Sequence, residues 1–137
     1  PDSQYAAVIP LFIEALHRSR QPEVHGDGTQ SRDFTYVDNV VDANIRAAEA
    51  PASVVDGAVY NVAGGSSHSL LDLLEELSSL MGKRIEPRFT PLRAGDVRHS
   101  SADISAAARD LGYEPSTSFA EGLRATVEWF LSNRPVS

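Results

Sequence analysis

Three stretches of this 137-residue chain carry residue types that could do chemistry: VHGDGTQSRDFTYV at 24–37, YNVAGG at 60–65 and RAGDVRHSSAD at 93–103. In the first and third, an arginine stands at a loop edge beside glycine or aspartate. A guanidinium is a planar fork of N–H donors that binds phosphate oxygens in pairs. Arg32 and Arg93, brought from separate loops, could therefore clamp a diphosphate. The competing expectation is that a neighbouring pair such as Arg32-Asp33 is a solvated surface feature. Other chemistries find less support. No G-x-G-x-x-G turn or P-loop occurs, so nothing in the sequence signals a dinucleotide or triphosphate cradle. The four histidines, His17, His25, His68 and His99, show no ligand spacing with carboxylates, so no metal site is expected. A Ser/His/Asp triad is recognised by geometry, which residue order does not supply. The residues alone offer anion-binding candidates and no complete active site.

Composition narrows the partners. Acidic residues outnumber basic ones 19 to 12, for a formal net charge of −7. Such a surface disfavours nucleic acid and anionic membranes, whose attraction comes mainly from positive charge. Hydrophobic residues make up 42% and charged ones 23%, as in a globular rather than a disordered chain. No apolar run approaches the ~20 residues that cross a bilayer, and no signal peptide is evident at Pro1. With no cysteine there is no disulfide. The expectation is a cytoplasmic protein of one domain, residues 1–137, of α/β or α+β class.

The elements that must position the candidates follow from pattern. Residues 3–9 read as extended or irregular, with Pro10 opening a helix whose inner face holds Phe12, Ile13 and Leu16. Val24–Gly28 reads as a short strand entering a Gly-rich turn, and residues 32–37 as a strand. Asp38 is expected to cap a helix burying Val41, Ile45 and Ala48. Ala58–Val62 is an apolar run suited to a strand covered on both faces. Ser69 and Asp72 resemble a capping box ahead of a leucine stripe that Gly82 ends. A strand is expected over 85–89, a loop over 91–101, and a helix from Asp103 to Gly112. Ser118 and Glu121 open a last helix, with Trp129 assigned to the core.

The pattern GDGTQSRDFTYVDNVV, followed by YNVAGG and RAGDVR, resembles the C-terminal part of the extended short-chain dehydrogenase/reductase family, and within it the NAD-dependent nucleotide-sugar epimerases and dehydratases. DSQYAAVIP at 2–10 and GDVRHSSADI at 95–104 are most similar to the UDP-N-acetylglucosamine/UDP-glucose 4-epimerases. The family's NAD-binding Gly-rich turn and its Tyr-x-x-x-Lys lie upstream of the segment matched. The resemblance therefore implies a UDP-sugar-binding C-terminal portion, with NAD and the catalytic residues belonging to a half absent from this chain. The implied parent oxidises the sugar at C4, turns the 4-keto sugar and returns the hydride to its other face. The chain alone is expected to be inactive.

By the same resemblance, Arg32 and Arg93 bind the diphosphate and Asp96 the ribose hydroxyls. Val24 and His25 lie on the strand beside the uracil, and Val8 contacts the nucleotide. Ser100 lines the sugar pocket, where a small residue admits a 2-acetamido group. Phe34, Tyr36, Asn61, Gly64 and Gly65 are expected to shape the fold. Ala58–Val62 is expected to return to the cofactor domain's Rossmann sheet. An isolated chain would then expose an unpaired edge and self-associate, a homo-oligomer being possible in any case. Alternatives are a related nucleotide-sugar dehydratase or decarboxylase, or a non-catalytic nucleotide-binding module.

Overall fold

The computed structural model describes residues 8–92 and 95–133. In chain order they form α1 (Val8–His17), β1 (Glu23–His25), β2 (Ser31–Arg32), α2 (Val37–Glu49), α3 (Ala52–Val55), β3 (His68–Ser69), α4 (Leu70–Met81), β4 (Arg88–Thr90), α5 (Ser105–Leu111) and α6 (Phe119–Ser132). This is the mixed helix–strand class expected from the sequence. The chain divides into two compact units. The first takes residues up to 31, 68–99 and from 123 onward; the second takes 32–67 and 100–122.

In the first unit α1 packs on α4. Phe12, Ile13 and Leu16 on one helix and Leu73, Leu74 and Leu77 on the other are all buried. Each such side chain contributes about 2 kcal/mol of burial. The helix already includes Val8 and Ile9, two residues ahead of the expected start at Pro10. Residues 3–7 lie outside the described part. Lys83 closes the other end of α1: its ammonium donates to the His17 carbonyl at 2.7 Å and to the Ser19 hydroxyl at 3.1 Å. A cation there complements the negative end of the helix dipole. The capping box of α4 is formed as the sequence suggests. Ser69 Oγ accepts from the Asp72 amide at 3.0 Å, and Asp72 Oδ2 accepts from the Ser69 amide at 2.8 Å. Gly82, in left-handed conformation, ends the helix. β1 and β4 pair in parallel, Val24 opposite Phe89. β4 lies at 88–90 rather than 85–89, because the register to β1 selects the paired residues.

The second unit is built on α2, α5 and the extended run before Gly64. Ala43, Ala107, Leu111 and Tyr113 form its core, with Tyr60, Val62 and Ile104 packed against it. Gly112 caps α5, and the Arg46 guanidinium donates to its carbonyl at 2.8 Å. The Asp103 carboxylate accepts from the Ser105 amide at 2.9 Å, so α5 starts two residues after the expected Asp103.

Four expectations are corrected here. Residues 33–36 are not strand: Phe34 stacks on Phe119 with ring centroids 5.6 Å apart, and Tyr36 becomes the N-cap of α2, a role assigned to Asp38. On α2 the buried residues are Asn39 and Ala43, whereas Val41 and Ile45, expected inside, are exposed. Asn39 is held because its amide group donates to the Thr117 carbonyl at 2.8 Å and accepts from the Thr117 amide at 3.0 Å. A doubly paired amide side chain outcompetes valine for the inner face. Ala58–Val62, expected to be covered on both faces and to pair with a sheet outside this chain, carries no ladder, and among the described residues no backbone hydrogen bond reaches Val59–Val62. Its residues alternate, with Tyr60 and Val62 half-buried and Val59 91% exposed, so one face is covered rather than two. Trp129, placed in the core by the sequence reading, is 66% exposed on α6, where Leu123 and Val127 are buried instead.

Candidate functional site

The candidate residues fall in both units, and each set has its own construction. In the first unit, Val24 is wholly buried, so only its main chain can face a ligand. The neighbouring His25 is half-buried, its Nδ1 2.7 Å from Thr90 Oγ1 on β4 and its Nε2 3.6 Å from a Glu23 carboxylate oxygen. The Gln30 side-chain amide donates to the His25 carbonyl, and the Gly26 amide donates to the Thr90 carbonyl at 2.8 Å. β1 is thus pinned along its length, a rigid rail for main-chain recognition. Asp27 next in the turn accepts from the Thr29 amide at 2.9 Å and its hydroxyl at 2.7 Å. These bonds, with Arg98 3.6 Å away, hold the Asp27 carboxyl below the usual carboxylate range. Asp96 is exposed in the loop that follows, and Ser31 Oγ lies 2.9 Å from His99 Nδ1. Val8 stands in the first turn of α1. Arg93 lies outside the described residues.

In the second unit the structure brings the segments of Arg32 and Ser100 together. The residue after Arg32, Asp33, donates its amide to the Ser100 carbonyl at 3.1 Å. Asp33 is not left to pair with its arginine neighbour as a surface couple. Its Oδ1 accepts from the Gly64 amide at 2.7 Å and its Oδ2 from the Gly65 amide at 3.1 Å. Arg32 is half-buried and Ser100 exposed. Sequence reasoning missed Asp33 as a structural anchor, as it missed the buried Gln30 and Asn39. The one signal available was the Gly64-Gly65 pair, two amides with no side chains in the way.

A cleft of about 530 Å³ also opens in the first unit, between the second half of α4 and the connection through Lys83, Ile85 and Phe89. None of the candidate residues lines it. Among the described residues no cluster of three or more His, Asp or Glu side chains could hold a metal, and no helix is long and apolar enough to cross a membrane.

A dinucleotide pyrophosphate needs glycines whose missing side chains leave room beside a helix N-terminus. Here that room is filled from within. A Cβ on Gly26 would meet Leu92 at 2.7 Å, one on Gly28 would meet Leu71 at 2.8 Å, and one on Gly64 would meet the Asp33 carboxylate at 3.0 Å. The turn at 26–28 also runs on towards a strand rather than into a helix. None of these three glycines therefore offers the room that a dinucleotide pyrophosphate needs.

Comparison with known proteins gives this arrangement its class. The model of the NAD dependent epimerase/dehydratase family matches residues 1–63. UDP-glucose 4-epimerase of Mycolicibacterium smegmatis is 40% identical over 125 residues, which is 91% of this chain and 39% of that protein. Two solved structures superpose closely. UDP-glucose 4-epimerase of Thermotoga maritima with UDP-glucose has a TM-score of 0.85 and 38% identity, covering 93% of this chain and 40% of that one. UDP-N-acetylglucosamine 4-epimerase of Methanobrevibacter ruminantium with UDP-N-acetylmuramic acid has a TM-score of 0.86 and 40% identity, covering 97% of this chain and 42% of that one. The fold is thus that of the nucleotide-sugar epimerases of the extended short-chain dehydrogenase/reductase type. Residues 1–63 thus match the NAD-dependent epimerase/dehydratase family, and the chain corresponds to the carboxy-terminal part of the relatives it matches and spans about two fifths of their length. The family's cofactor is NAD.

Proposed function

We propose that this chain is the UDP-sugar-binding portion of an NAD-dependent 4-epimerase acting on UDP-hexoses and UDP-N-acetylhexosamines. The observation that carries the reading is the 38–40% identity, along nearly the whole chain, to two epimerases whose structures hold a UDP-sugar. The geometry supports it. β1 offers the main chain of Val24 and His25 on a rail pinned by Thr90 and Gln30. Arg32 and Ser100 flank an anchored Asp33. In this reading Arg32 and Arg93 neutralise the diphosphate, Asp96 receives the ribose hydroxyls, and Val8 borders the nucleotide. The charge on the ligand is met by placed guanidinium groups, against a chain of net charge −7. Holding the nucleotide firmly uses remote binding energy to orient the reacting sugar. The reading assigns this chain positioning and no acid–base step.

The test is UDP and UDP-sugar binding by calorimetry in the intact protein that carries this chain, together with interconversion of UDP-N-acetylglucosamine and UDP-N-acetylgalactosamine followed by NMR. Arg32→Ala is expected to weaken UDP at least tenfold. Ser100→Tyr would fill the space of the acetamide at a cost of about 1–3 kcal/mol. It should cut kcat/KM for the N-acetylated pair roughly 5- to 150-fold and spare the plain hexoses. Equal losses on both pairs would remove Ser100 from the sugar pocket, and unchanged UDP affinity in Arg32→Ala would overturn the reading.

A further inference from the structure

The Asp33 side chain has no ligand role in the site described above, yet its carboxylate is anchored to the main chain through both oxygens. Both carboxylate oxygens are held by consecutive main-chain amides, Gly64 to Oδ1 at 2.7 Å and Gly65 to Oδ2 at 3.1 Å. Its own amide is held by the Ser100 carbonyl at 3.1 Å. The turn that grips it is itself fixed from behind. The buried Tyr113 donates its hydroxyl to the Ala63 carbonyl at 2.8 Å, and Tyr113 belongs to the unit's core. A side chain at Gly64 would crowd the grip, since a Cβ there would lie 3.0 Å from Asp33 Oδ1 and 3.1 Å from the Phe34 carbonyl.

Hydrogen bonds from amides to an ionised carboxylate are about twice as strong as neutral ones. Two of them on one side chain, with a third on the same residue's main chain, leave that residue little freedom. Its neighbour in sequence inherits the restraint. A ligand-binding side chain whose backbone is already fixed loses less entropy when the ligand arrives. The geometry points to Asp33 as a positioning residue for Arg32, one that staples the Arg32 backbone to the 63–65 turn so that the guanidinium meets a diphosphate from a fixed root. The inference rests on the UDP-sugar reading for its ligand, and on this chain's own contacts for the staple.

The experiment is a double-mutant cycle on UDP affinity, measured by calorimetry in the intact protein, with wild type, Arg32→Ala, Asp33→Asn and the double variant. Asparagine keeps the size of the side chain but turns an N–H group towards one of the two glycine amides, so one of the two bonds is lost. Asp33→Asn is expected to weaken UDP about five- to tenfold when Arg32 is present and less than twofold when Arg32 is already alanine. A merely structural role would give the same loss on both backgrounds, and that additive result overturns the proposal. So does an Asp33→Asn variant that binds UDP like wild type while Arg32→Ala does not. If Arg32→Ala leaves UDP affinity unchanged, it is the UDP-sugar reading that fails, and the two failures are told apart. Should Asp33→Asn not fold, Gly64→Ala takes its place in the cycle, since the added methyl displaces the carboxylate while Asp33 is retained. The same background-dependent loss is expected, and an equal loss on both backgrounds again overturns the proposal.

Discussion

The paired helices α1 and α4 of the first unit and α2 of the second treat their apolar stripes in opposite ways. In the first, α1 and α4 turn their apolar stripes onto each other and bury six large side chains between them. In the second, α2 buries a small alanine and a polar asparagine, and leaves Val37 (59% exposed), Val41 and Ile45 (51% exposed) in a row four residues apart along its outer face. Beside the same core runs the extended 59–62 segment, with no backbone partner among the described residues. An apolar stripe at helical spacing signals that a face is to be covered, and it does not say by what. In the first unit the α1 and α4 stripes cover each other. In the second the α2 stripe is left exposed, and the unit's order depends on polar staples: Asn39 to Thr117, Arg46 to Gly112, Tyr113 to Ala63 and Asp33 to Gly64–Gly65.

The contrast can be broken by substitution. The largest effect is expected for Leu77→Ala in the first unit, which removes a fully buried side chain and should cost about 2–5 kcal/mol in urea unfolding of the chain. Val41→Ala on the outer face of α2 should stay within about 0.5 kcal/mol in the same experiment. A cost above 2 kcal/mol for Val41→Ala would mean that the α2 stripe is covered, by a second copy or otherwise, and would erase the contrast.

A smaller effect tests whether polar staples carry the second unit. Asn39→Ala leaves the Thr117 amide and carbonyl without their partner and should cost about 1–3 kcal/mol by denaturant titration. Asn39→Leu, which adds apolar bulk at the same buried position, should be no better. A stabilising Asn39→Leu would show that the position wants hydrophobicity and that the hydrogen bonds are incidental.

The smallest effect belongs to the first unit and depends on pH. Ser69→Ala removes the cap of α4 and should cost about 1 kcal/mol. The Asp72 carboxyl is held below the usual carboxylate range by its hydrogen bonds to Ser69. A group whose folded pKa is depressed contributes stability that is present above its unfolded value of about 4 and is lost as pH falls through the folded one. Asp72→Asn, which removes the carboxylate that the Ser69 amide holds, should therefore flatten the fall in stability between neutral pH and the acid range, read from thermal melts at a series of pH values. An unchanged acid slope would remove Asp72 from the account.

Local chemistry was legible in the sequence wherever the deciding partners lie within a few residues. Both capping patterns, Ser69 with Asp72 and Ser118 with Glu121, and the glycine ends at 82 and 112 needed nothing beyond neighbours three or four positions away. The inward leucines of α4 followed from helical spacing for the same reason. The resemblance carried by the RDF and RAGD motifs placed the chain in its family, which the comparisons bear out. Tertiary structure decided what spacing cannot express. Apolar spacing on α2 marked Val41 and Ile45, yet the inner face went to Asn39 because Thr117, 78 residues away, satisfies both ends of its amide. The apolar run marked 58–62 as a strand whose partner lies outside this chain, and the amides and carbonyls that a strand requires of its partner do not come from the described residues. Asp33 looked like a counterion for Arg32 because the two are adjacent in the chain. Only the fold brings the Gly64 and Gly65 amides, 31 and 32 residues away, within hydrogen-bonding reach of its carboxylate and makes it an anchor instead.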